Sequence, residues 1–376
     1  MRDPGRIAVF LVVVLGTWTL MHVYVVWRAS SVPTNSAHVP RWALVAAVAM
    51  LWVAYPLSRI LDRNNLGLAA RPLEFVGSAW LGVLFLACVT LLAVDAVTLG
   101  GLGFPSIAPS LRGWGLATAC ALSLIALVQG LRPPVVVDYE VFLAGLPAER
   151  DGLVLVEVSD LHLGTLIGDR WLARLVDRVD AMKPDLAVVA GDLIDGNVDR
   201  VEPFLPELKR LRAPLGVFAV TGNHEVYAGL DRSVKLFEEA GYTVLRDRWV
   251  EPAPGLILAG VDDLTARRQF GVDNHPVEKA LAGRPHGATV LLSHTPWQAQ
   301  KAAELGAGLM LSGHTHDGQI WPFGYLVQFT YPLMGGRYTV GGMTAIVCRG
   351  TGTWGPRMRL WRPSEIVRIT LRAPKT

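Results

Sequence analysis

Cysteine is scarce in this chain: three residues among 376, at Cys88, Cys120 and Cys348, with no close spacing between any two. That scarcity argues against a disulfide framework and a cysteine-rich zinc site, and leaves buried thiols as the expectation. Charge is thin as well, at 18% Asp, Glu, Lys and Arg, and lysine is missing altogether from the first 132 residues. No run of Lys or Arg marks a nucleic-acid surface. The formal charge of +3 divides into +5 for residues 1–132, where nine Arg face Asp3, Asp62, Glu74 and Asp95, and −2 for the remainder. A mildly acidic C-terminal part argues against a polynucleotide partner, and no internal repeat or low-complexity tract is apparent.

What the chain has in excess is apolar sequence: 51% hydrophobic residues and a mean hydropathy of +0.36, too high for an ordinary soluble protein. Four apolar segments, Ile7–Trp27, Trp42–Ile60, Phe75–Val94 and Trp114–Leu131, are each long enough to cross a hydrocarbon core about 30 Å thick at about 1.5 Å per residue. The first is long and three more follow it, which argues against a cleaved signal peptide. Trp18, Trp27, Trp42, Trp80 and Trp114 include several at segment ends, where interfacial anchors belong. Pro56 predicts a kink in the second segment. Arg2, Arg6, Arg59, Arg63, Arg71 and Arg132 fall on one side of the spans, against Arg28, Arg41 and Arg112 on the other. This bias predicts a cell-membrane protein whose N-terminus and C-terminal domain are both cytoplasmic. With no second charge inside the spans, Asp95 is expected to be an interfacial end residue. Gly100 to Gly103, followed by Pro105, suggests a short reentrant or interfacial loop.

Arg132-Pro133-Pro134 cannot continue a helix, which divides the chain into a four-helix transmembrane anchor, residues 1–132, and a second domain, residues 133–376. In that domain strands and helices interleave. Strands are expected at Val135–Phe142, at the run from Leu153, and at Leu186–Ala190, Gly216–Val220, Leu256–Ala259, Thr289–Leu292, Leu309–Leu311, Thr344–Cys348 and Ile366–Leu371. Helical spacing covers Trp171–Met182 and Val201–Leu211.

The chemistry lies where the strands stop. The run from Leu153 ends in Asp160-Leu-His162, two residues that an extended strand end would point the same way. The next strand ends in Gly191-Asp192, another in Gly222-Asn223-His224-Glu225, the next candidate in Ser293-His294, and the last in Gly313-His314-Thr-His316. Five strand ends thus deliver two Asp, one Asn and five of the nine histidines to one rim, the edge at which open sheets gather ligands. The glycines before Asp192, Asn223 and His314 are expected to supply sharp turns. Carboxylates suit hard cations and imidazoles borderline ones, so the rim is a candidate metal site.

In this ordered pattern the chain resembles the calcineurin-like metallophosphoesterases, over nearly all of residues 135–371. Ser159 to Gly164, Gly260 to Asp263, His314 to Gln319 and Arg349 to Gly352 resemble the membrane-associated branch of that superfamily, which includes lipid-directed phosphodiesterases and lipid A precursor pyrophosphatases. The resemblance implies two packed β-sheets flanked by helices, a four-layer α/β sandwich. It also implies two divalent cations of the Mn²⁺, Fe²⁺ or Zn²⁺ type. Asp160, His162 and His316 would hold one and Asn223, His294 and His314 the other, with Asp192 bridging, and a bridging hydroxide would attack phosphorus in line. His224, beside a ligand but not needed as one, suits a proton donor, with Glu225 orienting its imidazole. Asp317 departs from the branch, which more often has Gly there.

Other residues carry two readings. Asp195 and Asn197 either line the pocket or hold a turn; Asp262 and Asp263 either support ligands or sit in a solvated loop. Trp321-Pro322-Phe323 either packs beneath its loop or meets acyl chains. Arg337, Arg349 and Arg357 are phosphate contacts or surface charges. The expected function is a membrane-anchored phosphoesterase cleaving a phosphodiester or pyrophosphate bond, on a lipid head group. The alternatives are a tethered hydrolase of nucleotides or soluble phosphodiesters, or a metal-binding sensor or transporter domain without catalysis, which would have no evident need of His224.

Overall fold

The computed structural model describes residues 4–32, 40–64, 66–272 and 275–374. Arg2 and the side chains of Arg6 and Arg41, which enter the charge bias, lie outside this description. The chain forms two compact units, residues 1–132 with 355–361, and residues 133–354 with 362–376.

In the first unit the four apolar segments are helices: α1 (Pro4–Ala29), α2 (Arg41–Arg63), α3 (Gly67–Thr98) and α4 (Ala108–Gly130). All four are long and apolar enough to cross a membrane. Helix α2 continues through Pro56 to Arg63, and α3 begins eight residues before the expected Phe75 and runs on through Pro72. Asp95, expected as an end residue, stands in the last turn of α3. There Arg28 of α1 reaches it at 2.6 Å, Arg112 of α4 at 3.2 Å and the Tyr24 hydroxyl at 2.8 Å. Two arginines counted as loop charges are thus its partners at the helix ends. Gly100, with φ 69°, turns the chain after α3, and its carbonyl accepts from Arg112 at 2.8 Å. Residues 355–361 join this unit through the Arg359 N–H, donated to the Ala126 carbonyl at 2.8 Å, and the Trp361 N–H, donated to Gln129 at 2.9 Å.

The second unit is a pair of six-stranded mixed sheets. One is ordered β1 (Val135–Phe142), β12 (Glu365–Arg372), β2 (Leu153–Val158), β3 (Leu186–Ala190), β4 (Val217–Val220), β5 (Thr243–Val244). The other runs β10 (Gly336–Val340), β11 (Met343–Val347), β9 (Leu309–Ser312), β8 (Ala288–Leu292), β7 (Leu256–Gly260), β6 (Arg248–Ala253). Strands β2 to β5 are mutually parallel, as are β7, β8, β9 and β11, so their carboxyl ends open on one edge of each sheet. Leu155, Val188, Phe218 and Val367 from the first sheet pack against Leu258, Val290, Leu311 and Ile346 from the second in a continuous apolar layer. On its other face the first sheet packs against α5 (Asp169–Ala181) and α6 (Asn223–Glu239) through Leu172, Val176, Leu236 and Phe237. Short helices, among them α7 (Leu264–Gln269), cover the second sheet. This is the expected layered sandwich.

Val201–Leu211 departs from the predicted helix. Pro203 and Pro206 break it into a 3₁₀ turn, Glu202–Phe204, and a single helical turn, Leu205–Leu208. Strands β5, β6 and β10 were missed. For β10 the signal was present, because Gly341-Gly342, with φ 54° and 87°, forms the two-residue hairpin loop into β11.

Candidate metal centre

The strand ends meet the site through turned backbone. Asp160 and His162 follow β2 with φ 54° and 48°, and Asp192, His314 and His316 are left-handed as well, at 49°, 70° and 48°. They share a side not by strand alternation but because each is turned inward, while Leu161 and Leu163 between them are buried in the apolar layer under the helices. A left-handed non-glycine residue costs roughly 1–2 kcal/mol, and such strain persists only where neighbours over-determine it. Here they do. Asp160 N–H donates to Gly191 at 3.0 Å, His162 N–H to Asp192 at 3.0 Å, and Gly352 N–H closes on the Asp160 carbonyl at 3.0 Å. Two of the three glycines expected to turn the chain instead make room. A Cβ on Gly222, whose φ is −100°, would lie 2.1 Å from Asp192 Oδ1, and one on Gly313 would lie 2.3 Å from Asp160 Oδ2.

The side chains converge in overlapping groups: Asp160, His162 and His316; His162, Asp192 and His224; and Asp192, His294 and His314. His316 Nε2 lies 3.1 Å from His162 Nε2 and 3.3 Å from Asp160 Oδ1. His294 Nε2 lies 3.1 Å from Asp192 Oδ2 and 3.3 Å from His314 Nδ1. Asp192 belongs to two of the three groups, with its Oδ2 toward His294 and, at 3.9 Å, toward His162. Asn223 is buried, and its Oδ1 has no hydrogen-bond partner among the described residues.

Protons alone do not suit this arrangement. Burial and the neighbouring His224 charge push His162 down to about 3, and burial with the His294 charge does the same to His314. Burial raises Asp160 to about 6, whereas for Asp192 the burial penalty is outweighed by the surrounding imidazoles, which hold its carboxyl well below the usual range. Imidazoles held unprotonated at His162 and His314, an orphaned amide oxygen and two carboxylates offer donors that borderline divalent cations take, while at His294 burial is outweighed by the Asp192 carboxylate, which holds the imidazole well above its usual range. The residues present therefore fit a pair of such ions.

His224 joins one of the three groups, beside His162 and Asp192, and has further partners of its own. Its Nδ1 faces Asp195 at 3.0 Å, its backbone N–H donates to Asp192 at 2.9 Å, and the Trp354 ring meets its own edge-on at 6.1 Å. Burial alone would lower its pKa, but the Asp192 and Asp195 carboxylates push it up to about 9. Glu225 does not orient it. Its carboxylate accepts from the backbone N–H groups of Asp192, Ile194 and Gly222 at 2.9, 3.0 and 2.7 Å, which ties the two loops together from below. The orienting carboxylate is Asp195, three residues past Asp192 in the same turn, where the sequence left pocket and turn roles open.

The remaining candidates fall outside the cluster. Asp317 faces Arg349 at 3.3 Å and Arg362 at 3.2 Å. Arg349 also pairs with Glu365, Arg337 donates to the Glu140 carbonyl, and Arg357 belongs to the first unit. Asp262 accepts from Arg246 and Thr221, while Asp263 is buried and accepts from Thr295. Sequence reasoning missed Ser159, whose hydroxyl donates to Asp160 at 2.7 Å, and Tyr331, whose hydroxyl lies 2.8 Å from His314 Nε2. Adjacency to a ligand could have flagged Ser159; nothing local to Tyr331 could.

The chain from His316 to Tyr331 leaves the cluster and returns to it. Trp321, Phe323, Tyr325, Leu326 and Phe329 along it are exposed, Leu326 by 59% and Phe329 by 88%. The helical turn Gly324–Val327 buries none of its residues. The return is anchored where Tyr331 stacks on Trp297, with centroids 5.2 Å apart.

The model of the calcineurin-like phosphoesterase family matches residues 153–318, from β2 through His316. The chain is 36% identical over 269 residues to a transmembrane protein with metallophosphoesterase domain of Danio rerio, a match that covers 68% of this chain and 62% of that one. It is 35% identical over 248 residues to an uncharacterized metallophosphoesterase of Helicobacter pylori, covering 65% of each. The matches thus span less than two thirds of either relative. An uncharacterized metallophosphoesterase of Aquifex aeolicus is 34% identical over 223 residues, 58% of this chain and 84% of its own length. With the Aquifex aeolicus relative matched over 84% of its length at 34% identity, the chain belongs to the calcineurin-like metallophosphoesterases.

Proposed function

We propose that this protein is a membrane-anchored phosphoester hydrolase that cleaves a phosphodiester or pyrophosphate bond carried on a membrane lipid. In this reading Asp160, His162 and His316 hold one divalent cation, Asn223, His294 and His314 hold the other, and Asp192 is shared. When bound, the two cations neutralise phosphoryl charge and acidify water. The chain's own residues do the rest. Glu225 holds the Asp192 and Gly222 backbones in register. His224 donates its Nδ1–H to Asp195, stays protonated at neutral pH, and delivers its Nε2 proton to the leaving oxygen. A metal-binding sensor would have no use for that dyad. The arginine bias supports a cytoplasmic site.

The observation that carries the lipid assignment is the exposed apolar tract between His316 and Tyr331, both ends of which stand at proposed ligands. Acyl chains contribute about 0.8 kcal/mol per buried CH₂, and this tract offers the only large run of exposed aromatic and aliphatic groups joined to the site among the described residues of the second unit. The test compares hydrolysis of a long-chain lipid diester in mixed micelles with that of its short-chain soluble analogue by the full protein. The rate should favour the long chain, and the paired change Leu326→Ser with Phe329→Ser should lower that preference. Equal rates on both, or on a nucleotide diester, would reject the lipid in favour of a tethered soluble-diester hydrolase.

A further inference from the structure

His314 presents its two ring nitrogens to different surroundings. Nδ1 faces His294 Nε2 at 3.3 Å, inside the cluster, and Nε2 faces outward to the Tyr331 hydroxyl at 2.8 Å and the Thr265 hydroxyl at 3.5 Å. A neutral imidazole carries one proton, and which nitrogen bears it is set by the partner of the other. For His294 the answer is immediate, because its Nδ1–H donates to the Ala190 carbonyl at 2.7 Å and leaves Nε2 facing Asp192. His314 has only hydroxyls at Nε2 among the described residues, and a hydroxyl can donate or accept.

The ambiguity ends two hydroxyls further on. Thr265 Oγ1, 3.5 Å from His314 Nε2, lies 2.8 Å from Thr295 Oγ1, and Thr295 donates to Asp263 Oδ2 at 2.5 Å. Asp263 is 1% exposed, and its other oxygen accepts the Ala266 N–H at 2.6 Å. A carboxylate only accepts, so Thr295 has spent its proton on Asp263 and must accept from Thr265, and Thr265, its own proton spent, can only accept from His314 Nε2–H. Every proton then points toward Asp263.

We propose that Asp263, acting through Thr295 and Thr265, is a positioning residue that fixes His314 with its proton on Nε2 and its Nδ1 lone pair turned to Asp192 and His294. The proposal rests on the reading of His314 as a cation ligand. It gives Asp263 a place in the site that neither its sequence position nor direct contact reveals, and it draws on two separate segments: the loop after β7 with α7, and the loop after β8. Outer partners of ligating imidazoles typically contribute 10- to 100-fold to metal affinity.

The test is Mn²⁺ titration of the purified full chain, with nitrogen NMR of histidine-labelled, metal-free protein as the second readout. Thr265→Val, on a segment that carries no ligand, should weaken one of two Mn²⁺ sites by about 10- to 100-fold and leave the other unchanged. Thr295→Val should do the same, and Thr265→Ser and Thr295→Ser, which restore the hydroxyl, should return binding to near the wild-type value. In the metal-free wild type the resonance lost in His314→Ala should be that of an Nε2–H tautomer. If His314→Ala releases one ion while both valine variants bind two as tightly as wild type, the relay is wrong and the ligand reading stands. If the serine variants fail to rescue, or the tautomer is Nδ1–H, the relay is also overturned. If His314→Ala itself keeps both ions, the ligand reading fails and the relay falls with it.

Discussion

In the first unit, Asp95 meets Arg28, Arg112 and Tyr24 within 3.2 Å, and Arg112 spends further donors on Ser31 and on the Gly100 carbonyl. In the second unit, two carboxylates and five imidazoles converge within similar distances, yet Asn223 Oδ1 and His162 Nδ1 are buried with no partner among the described residues, and the Nε2 atoms of His162 and His316 face one another. Both places bury charge. Where opposite charges and donors complete one another the cluster fastens α1, α3 and α4, and where acceptors crowd together it awaits cations. The distinction rests on hydrogen-bond completion rather than on which residue types are present.

The comparison can be broken from either side. The largest effect should come from the site: His224→Ala should cost about 10²–10⁴-fold in kcat while elemental analysis still finds the metal content of the wild type. A metal-poor His224→Ala protein would make the imidazole a ligand instead. In the first unit, Asp95→Ala leaves two buried guanidinium groups facing each other and should cost about 3–5 kcal/mol of stability, seen as a lower unfolding midpoint of the full chain in detergent with metal content unaltered. An unchanged midpoint would mean that the triad does not fasten the helices.

A third effect is smaller and has a sign. His224 is raised to about 9 by Asp192 and Asp195 against its burial, so in metal-free protein it should titrate above the ordinary imidazole range. Asp195→Asn removes one carboxylate that favours the cation, so the titration midpoint and the alkaline limb of kcat should both move to lower pH. If neither moves, Asp195 merely shapes its turn. The smallest effect belongs to Asp317. Glycine there would relieve a backbone held at φ 49° but deprive the partly exposed Arg349 and Arg362 of a buried partner, so Asp317→Gly should alter stability by about 1 kcal/mol and leave metal content unchanged. A changed metal preference would contradict its orientation toward the arginines.

The contrast also explains what could be read before the structure. The spans and most strands were legible because burial imposes long apolar runs, and the candidate ligands could be singled out because each stands at the end of such a run. Val201–Leu211 failed because its apolar spacing hid two prolines, and the pairing of Asp95 was not legible because its partners lie 67 and 17 residues away in sequence. Glu225 was placed correctly beside the site but given the wrong contact: adjacency to His224 suggested an imidazole partner, while α6 carries its side chain back under Gly222. Asp263, Thr295 and Thr265 come together beside His314 only after folding, and no local pattern announces it.

The most direct test of the shared-ligand account is elemental analysis of the full chain after loading with Mn²⁺ and exchange into metal-free buffer, for wild type and for Asp192→Asn. The account predicts two ions per chain in the wild type and a loss at both sites in the variant, because Asp192 is shared. A variant that keeps one ion as tightly as the wild type would show that the two sites are independent and that Asp192 bridges nothing.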